Sequence, residues 1–226
     1  AGDMKVATSR EALIDDQNQL AMDRTDWNWI TTDGYVVGTG AALSWQGDDL
    51  SFSAAMINNF AEGPANADSH IINLRIEYMA EGNWSQFDQF TSADGGAAGT
   101  LVGFSYLTAD AGDAPATLLA DDDSYWTLDV QMQFGGSNLY VAYSDFDDDD
   151  GAGGDWDALE IMYGLYLDAD WELYGRWSDK DTDDDGIFTV GLNNYLSGQN
   201  AKWTTEVRWD DTDSDNETTT IATQLQ

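Results

Sequence analysis

In the stretch AKWTTEVRWDD, residues 201–211, Lys202, Glu206 and Arg208 occupy one set of alternate positions, while Trp203, Val207 and Trp209 occupy the other. The same division recurs far away in the chain. Asn73, Arg75 and Glu77 alternate with Ile72, Leu74, Ile76 and Tyr78; Glu172, Tyr174 and Arg176 alternate with Trp171, Leu173 and Trp177; Asp129 and Gln131 alternate with Leu128, Val130 and Met132. Rows of mixed charge on one face of a sheet can line a water-filled passage and sort ions by charge without making or breaking a bond. The spacing predicts an inner wall of nearly balanced charge, with Arg75 against Glu77, Arg176 against Glu172, and Lys202 and Arg208 against Glu206.

A second chemistry is suggested by the acidic runs DFDDDDGAGGD, DKDTDDDG and DDTDSDNE. Asp181, Asp183, Asp185 and Gly186 match the opening of a calcium loop of the EF-hand type, but the twelfth position is Leu192 instead of Glu. Ca²⁺ or Mg²⁺ bridging external carboxylates is therefore an expectation of secondary weight, and no cofactor is required. Acidic loops at a pore mouth concentrate cations and repel anions whether or not a metal is fixed there.

Composition removes most other chemistries. With 8 Lys+Arg against 43 Asp+Glu, the net charge of -35 leaves no basic surface for nucleic acid. The absence of cysteine excludes thiolate nucleophiles, thiolate metal sites and disulfides, and the single histidine, His70, leaves little for a zinc centre or a Ser-His-Asp triad. Paired carboxylates such as Asp145 and Asp147 have no base beside them in sequence, so the expectation is a protein that is not an enzyme.

The elements that carry these rows read as strands. Gly punctuates short intervals, there are only 2 Pro, and apolar residues recur with period 2 in between. Strands are predicted over 35–46, 50–60, 70–79, 100–107, 124–134, 139–144, 156–167, 171–178, 187–196, 202–209 and 218–226, with a short one beginning at Met4. Tight connections at Gly47, Gly135, Asp168 and Ser197 alternate with long acidic ones, and residues 81–98 form a long turn on the short-turn side. That is the plan of an all-β, antiparallel, up-and-down transmembrane barrel of about twelve strands, one domain, with short periplasmic turns and longer external loops.

The alternative is a soluble β-sandwich, and tryptophan placement argues against it. Trp203 and Trp209 lie on the apolar face near opposite strand ends, as do Trp171 and Trp177. Six residues of strand span roughly 20 Å, which fits two aromatic girdles bounding an apolar band about 25 Å tall. Trp45 and Trp126 join the girdles, and outer-membrane lipid is the expected partner. The one predicted helix covers 8–25, with Thr8 and Glu11 at capping-box spacing; it either lies over the rim or folds into the lumen.

The segments REALIDDQNQLAMDR, GTGAALSW, WDALEIMYGLYLDADWELYGRWSD and VGLNNYLSGQNAKWTTEVRW resemble the phosphate-selective porins O and P. The resemblance implies a homotrimeric channel of roughly sixteen strands in the outer membrane of a Gram-negative bacterium, hence a chain lacking N-terminal strands and a C-terminal aromatic after Gln226. A closed twelve-stranded barrel is the alternative. Phosphate selectivity does not follow, because it needs a lumen dense in Arg and Lys and this chain has eight basic residues. The function expected is passive diffusion of small hydrophilic solutes with cation preference. The competing expectation is a calcium-holding structural or adhesive surface protein with little conduction, favoured if the lumen is plugged.

Overall fold

The computed structural model describes residues 2–25, 37–58, 70–110, 123–148, 154–181, 186–210 and 218–226. Within them, twelve strands form one antiparallel sheet in which every strand pairs with its sequence neighbour. The strands are β1 (Gly2–Lys5), β2 (Val37–Gln46), β3 (Leu50–Asn58), β4 (His70–Glu81), β5 (Ala98–Asp110), β6 (Ser124–Phe134), β7 (Ser137–Asp147), β8 (Trp156–Tyr166), β9 (Trp171–Lys180), β10 (Ile187–Tyr195), β11 (Lys202–Asp210) and β12 (Thr218–Leu225). The connection from β4 to β5 contains a 3-10 turn, Trp84–Asp88, and no strand, in agreement with the long turn expected there.

Burial along the strands runs opposite to that of a soluble sheet protein. In β4, Ile72, Leu74, Ile76 and Tyr78 are exposed, whereas Asn73, Arg75 and Glu77 are buried. In β6 the buried row is Tyr125, Thr127, Asp129, Gln131 and Gln133. An apolar face left to the surroundings and a polar face turned inward is stable in lipid and costly in water. The girdle residues lie on the outward face: Trp45, Trp171, Trp203 and Trp209 are exposed, and Trp126 and Trp177 partly so.

Register aligns the girdles. Trp171 is opposite Asn194, which is opposite Trp203. Toward the other end, Trp177 is opposite Phe188, which is opposite Trp209, and the Phe188 and Trp209 rings stack at 5.7 Å. The two rows sit six residues apart on the same strands, so the interval read from sequence is also the interval between rows in the sheet.

The sheet curls around the segment between β1 and β2. The Ala7 amide donates to Asn73 of β4, while on the far side Asn193 of β10 and Lys202 of β11 donate to the Leu20 and Gln19 carbonyls. Strands this distant in the sheet order meet one segment only if the sheet closes round it. The edges of the sheet are β1 and β12, and no pairing joins them among the described residues. Beside the segment, at the end of the edge strand β12, an open pocket of about 660 Å³ is lined by Lys5, Asp15, Asp16, Gln17, Gln224, Leu225 and Gln226.

Candidate functional site: the occupied lumen

Segment 6–25 corrects the helix prediction in two ways. Only Arg10–Leu13 forms an α-helix (α1), followed by a 3-10 turn, Asp16–Asn18, and the N-cap is Ser9, whose hydroxyl accepts from the Ala12 amide at 3.0 Å. Thr8, one residue too early, is buried against the wall. The reason lies in where the segment sits: inside the barrel, wall groups satisfy its backbone, so a continuous helix is not needed to pair its amides and carbonyls. Of the two placements weighed for it, rim or lumen, the structure has the lumen.

The wall side chains that grip the segment are largely the row predicted to face inward. Arg75 is the centre of one group. Its Nη1 and Nη2 donate to both Asp129 oxygens at 2.8 and 2.9 Å, and its Nε donates to Glu77 at 3.0 Å. Glu77 in turn accepts from Arg10 of the segment at 3.2 Å. The charges thus form a chain, Asp129 to Arg75 to Glu77 to Arg10, that ends on the inward segment.

The second group differs from the sequence pairing. Arg176 pairs with Glu11 of the segment at 3.7 Å and donates to the Asp23 carbonyl at 2.6 Å, not to Glu172. Glu172 instead accepts from Tyr195 and Asn138 at 2.5 and 2.9 Å. Lys202 donates to Gln19, not Glu206, at 2.5 Å; Glu206 accepts from Tyr174 at 2.5 Å and from the Met22 amide at 3.3 Å. Arg208 lies on the same inward row but bonds Asp210 at 2.9 Å. The corrections at Arg176 and Lys202 share one cause: a same-strand partner four residues away lies roughly 13 Å along the strand, whereas the segment presents its groups head-on; Arg208 instead takes the carboxylate two residues along its own strand. Gln131 donates to the Gln89 carbonyl at 2.6 Å.

Glu11 is held by the Thr25 amide and hydroxyl, the latter at 2.7 Å. Burial pushes its carboxyl above the usual carboxylate range, and Arg176 pulls it part of the way back. Glu160, on β8, is a lumen carboxylate that the sequence reading missed. It is buried, lies within electrostatic reach of Glu11, Arg176 and Asp129, and its Oε1 has no hydrogen-bond partner among the described residues. Its inward neighbours Trp156, Ala158 and Met162 made the row look like apolar core.

Three inward glycines let side chains cross a strand. Gly103 lies between Glu77 and Asp129 in register, and a Cβ there would collide with Arg75 Nη2 and stand 2.7 Å from Asp129 Oδ1. Gly191 lies between Tyr174 and Glu206, and a Cβ would overlap the tyrosine ring. At Gly164, beneath the bond from Asn138 to Glu172, a Cβ would come within 2.5 Å of Asn138 Nδ2. Gly103→Ala is expected to separate Arg75 from Asp129 and to cost about 1–3 kcal/mol, as overpacking does. The check is a lower urea midpoint for loss of the fast-migrating folded band on unheated gels.

The remaining candidates fall elsewhere. Asp183 and Asp185 lie outside the described residues, and Asp181 accepts from the Asp157 amide at 3.2 Å. Asp145 and Asp147 sit on the outward row of β7, where Asp145 is opposite Trp126 and Asp157.

No family model and no curated protein matches the chain. Solved structures do. The loop L8 deletion mutant of OmpT, an outer membrane protein of Vibrio cholerae, is similar with a TM-score of 0.60 at 13% identity, over 99% of this chain and 73% of that one. The in-vitro folded OmpT of Vibrio cholerae gives 0.54 at 14% identity, over 98% and 70%, and the outer-membrane expressed form 0.55 at 12%, over 99% and 72%. None of the three is a phosphate-selective porin by its description, so the narrower resemblance gains no support from them. What the likeness carries is the fold: this chain has the antiparallel up-and-down sheet of an outer-membrane β-barrel.

Proposed function

We propose that the protein is a passive diffusion channel of the outer membrane, whose polar lumen is narrowed by segment 6–25 and admits small hydrophilic solutes with a preference for cations. The observation that carries this reading is the kind of contact holding the segment. It is moored to the wall chiefly through ionic and hydrogen bonds, and its Asp15, Asp16 and Gln17 line an open pocket between it and the end of β12. Polar groups of this kind are stable inside a barrel that water enters.

Cation preference rests on the local charge. The carboxylates Glu11, Glu77, Asp129, Glu160, Glu172 and Glu206 are buried in the lumen with Arg10, Arg75, Arg176 and Lys202. The acidic groups exceed the basic ones, and the loops beyond the strands add more negative charge. Phosphate selectivity is no part of the proposal. Assembly as a homotrimer, implied by the sequence resemblance, is part of it and is read from the mass of the detergent-extracted complex.

A second reading, a structural barrel with little conduction, is favoured by one observation. Apolar side chains also fill parts of the interior, as in the cluster of Ile14, Leu20, Phe90, Tyr140, Met162 and Tyr174. Single-channel recording in planar bilayers under a KCl gradient separates the two. Discrete steps with a cation-selective reversal potential are expected; well-folded protein that gives no steps would establish the structural reading instead.

A further inference from the structure

The connection 82–97 joins two strands at the end where the other connections are tight, yet it does not lie flat across that end. Trp84 packs at its outer side, donating from Nε1 to the Gly47 carbonyl at 2.9 Å. From there the chain turns inward, and Phe87, Phe90, Thr91 and Ser92 are buried.

Wall glutamines fix it in place. Gln133 donates to the Gln86 carbonyl at 2.8 Å and Gln131 to the Gln89 carbonyl at 2.6 Å. Gln199, from the connection between β10 and β11, donates to Thr91 Oγ1 at 2.8 Å, and the Gly136 amide donates to the Ser92 carbonyl at 3.0 Å. The connection is therefore tied to β6 and to two further turns.

Its inner end meets the segment that enters from the opposite rim. The Phe90 amide donates to the Asn18 carbonyl at 3.3 Å, Asn18 Nδ2 donates to the Asp88 carbonyl at 3.1 Å, and Arg10 donates to the Phe87 carbonyl. The Phe90 ring lies 4.8 Å from that of Tyr140 on the wall, in the same cluster as Ile14 and Leu20. Two segments entering from opposite ends thus meet inside the barrel and share one apolar contact.

We propose that connection 82–97 is a second narrowing element of the channel, and that its junction with residues 15–19, built on Phe90 and Asn18, sets the upper size of solute that passes. This rests on the channel reading above. In physical terms, a segment held only from one rim leaves a gap at the other, whereas two segments clasped inside the barrel leave only the space beside the clasp.

The test uses the whole protein, with Phe90→Ala and Asn18→Ala, each checked for folding by its mobility on unheated gels. Liposome swelling with neutral sugars of increasing size gives the cut-off, and planar bilayers give the unit conductance. Both variants are expected to admit sugars that the wild-type protein excludes and to conduct more per channel. Folded variants with wild-type cut-off and conductance would overturn the proposal. The junction itself has a readout that does not need conduction: Asn18→Cys with Asp88→Cys, in a chain that has no other cysteine, is expected to be joined by a short bifunctional thiol reagent. Failure of that cross-link in the folded double-cysteine variant would overturn the proposal even if channels are observed, whereas a variant that cross-links while the wild-type protein never conducts would remove the channel reading and with it the sieving role.

Discussion

Arg75→Ala is expected to leave a barrel that folds poorly or not at all. Asp129 is fully buried and accepts both of its strong hydrogen bonds from the Arg75 guanidinium, which also holds Glu77. Deleting the arginine strands two carboxylates that the fold has already taken out of bulk water, and breaking a buried pair by removing one partner costs about 3–5 kcal/mol. The loss propagates, because Glu77 also holds Arg10 of the inward segment. Urea titration of the folded gel band measures the effect. Arg75→Met combined with Asp129→Leu should recover part of the loss, because it removes both charges of the closest pair. A single variant as stable as wild type would mean that water reaches Asp129 freely.

The largest functional effect is expected from replacing residues 9–24 with a short Gly-Ser linker. The strands keep their sheet partners, since segment 6–25 contributes none of the pairings between neighbouring strands from β2 onward. What the barrel loses is the material in its lumen, and Glu77, Arg176, Lys202 and Glu206 then face water in place of the segment. Single-channel conductance should rise by about a doubling or more, as the narrowest cross-section widens, and charge selectivity should weaken as the walls recede from the passing ion. Conductance equal to that of the wild-type protein would show that ions bypass the segment, which would move the pathway to another part of the barrel.

The wall was legible in the sequence because period 2 is the geometry of a strand: once Ile72, Leu74 and Ile76 are assigned to lipid, Asn73, Arg75 and Glu77 have only one place to go. Tryptophan spacing likewise gave the heights of the girdles. The contents of the lumen were not legible in the same way. Segment 6–25 and connection 82–97 have no repeating pattern, because their backbones are satisfied one group at a time by wall side chains such as Asn193, Lys202 and Gln133. For that reason the partners of Arg176 and Lys202 were assigned within their own strands, and the role of Phe90 was not anticipated. Glu160 escaped notice for a different reason. In β8 both rows are mostly apolar, since the inward one carries Trp156, Ala158 and Met162 into the lumen clusters, and alternation loses its contrast.

The glycines over which side chains cross have a consequence for how the chain assembles. Tight turns dictate which residues of two strands lie opposite each other. The connection between β4 and β5 is too long to do so. Sliding β5 by one pleat, two residues, would keep its apolar row outward but bring Leu101 or Ser105 beneath the guanidinium in place of Gly103, and neither leaves room for Arg75 to reach Asp129. A misaligned hairpin would thus bury an arginine and an aspartate apart and reopen easily, while the correct alignment closes with both satisfied. Gly103 thus makes the native alignment the one that satisfies both charges, among alignments that an apolar outward row alone would not distinguish.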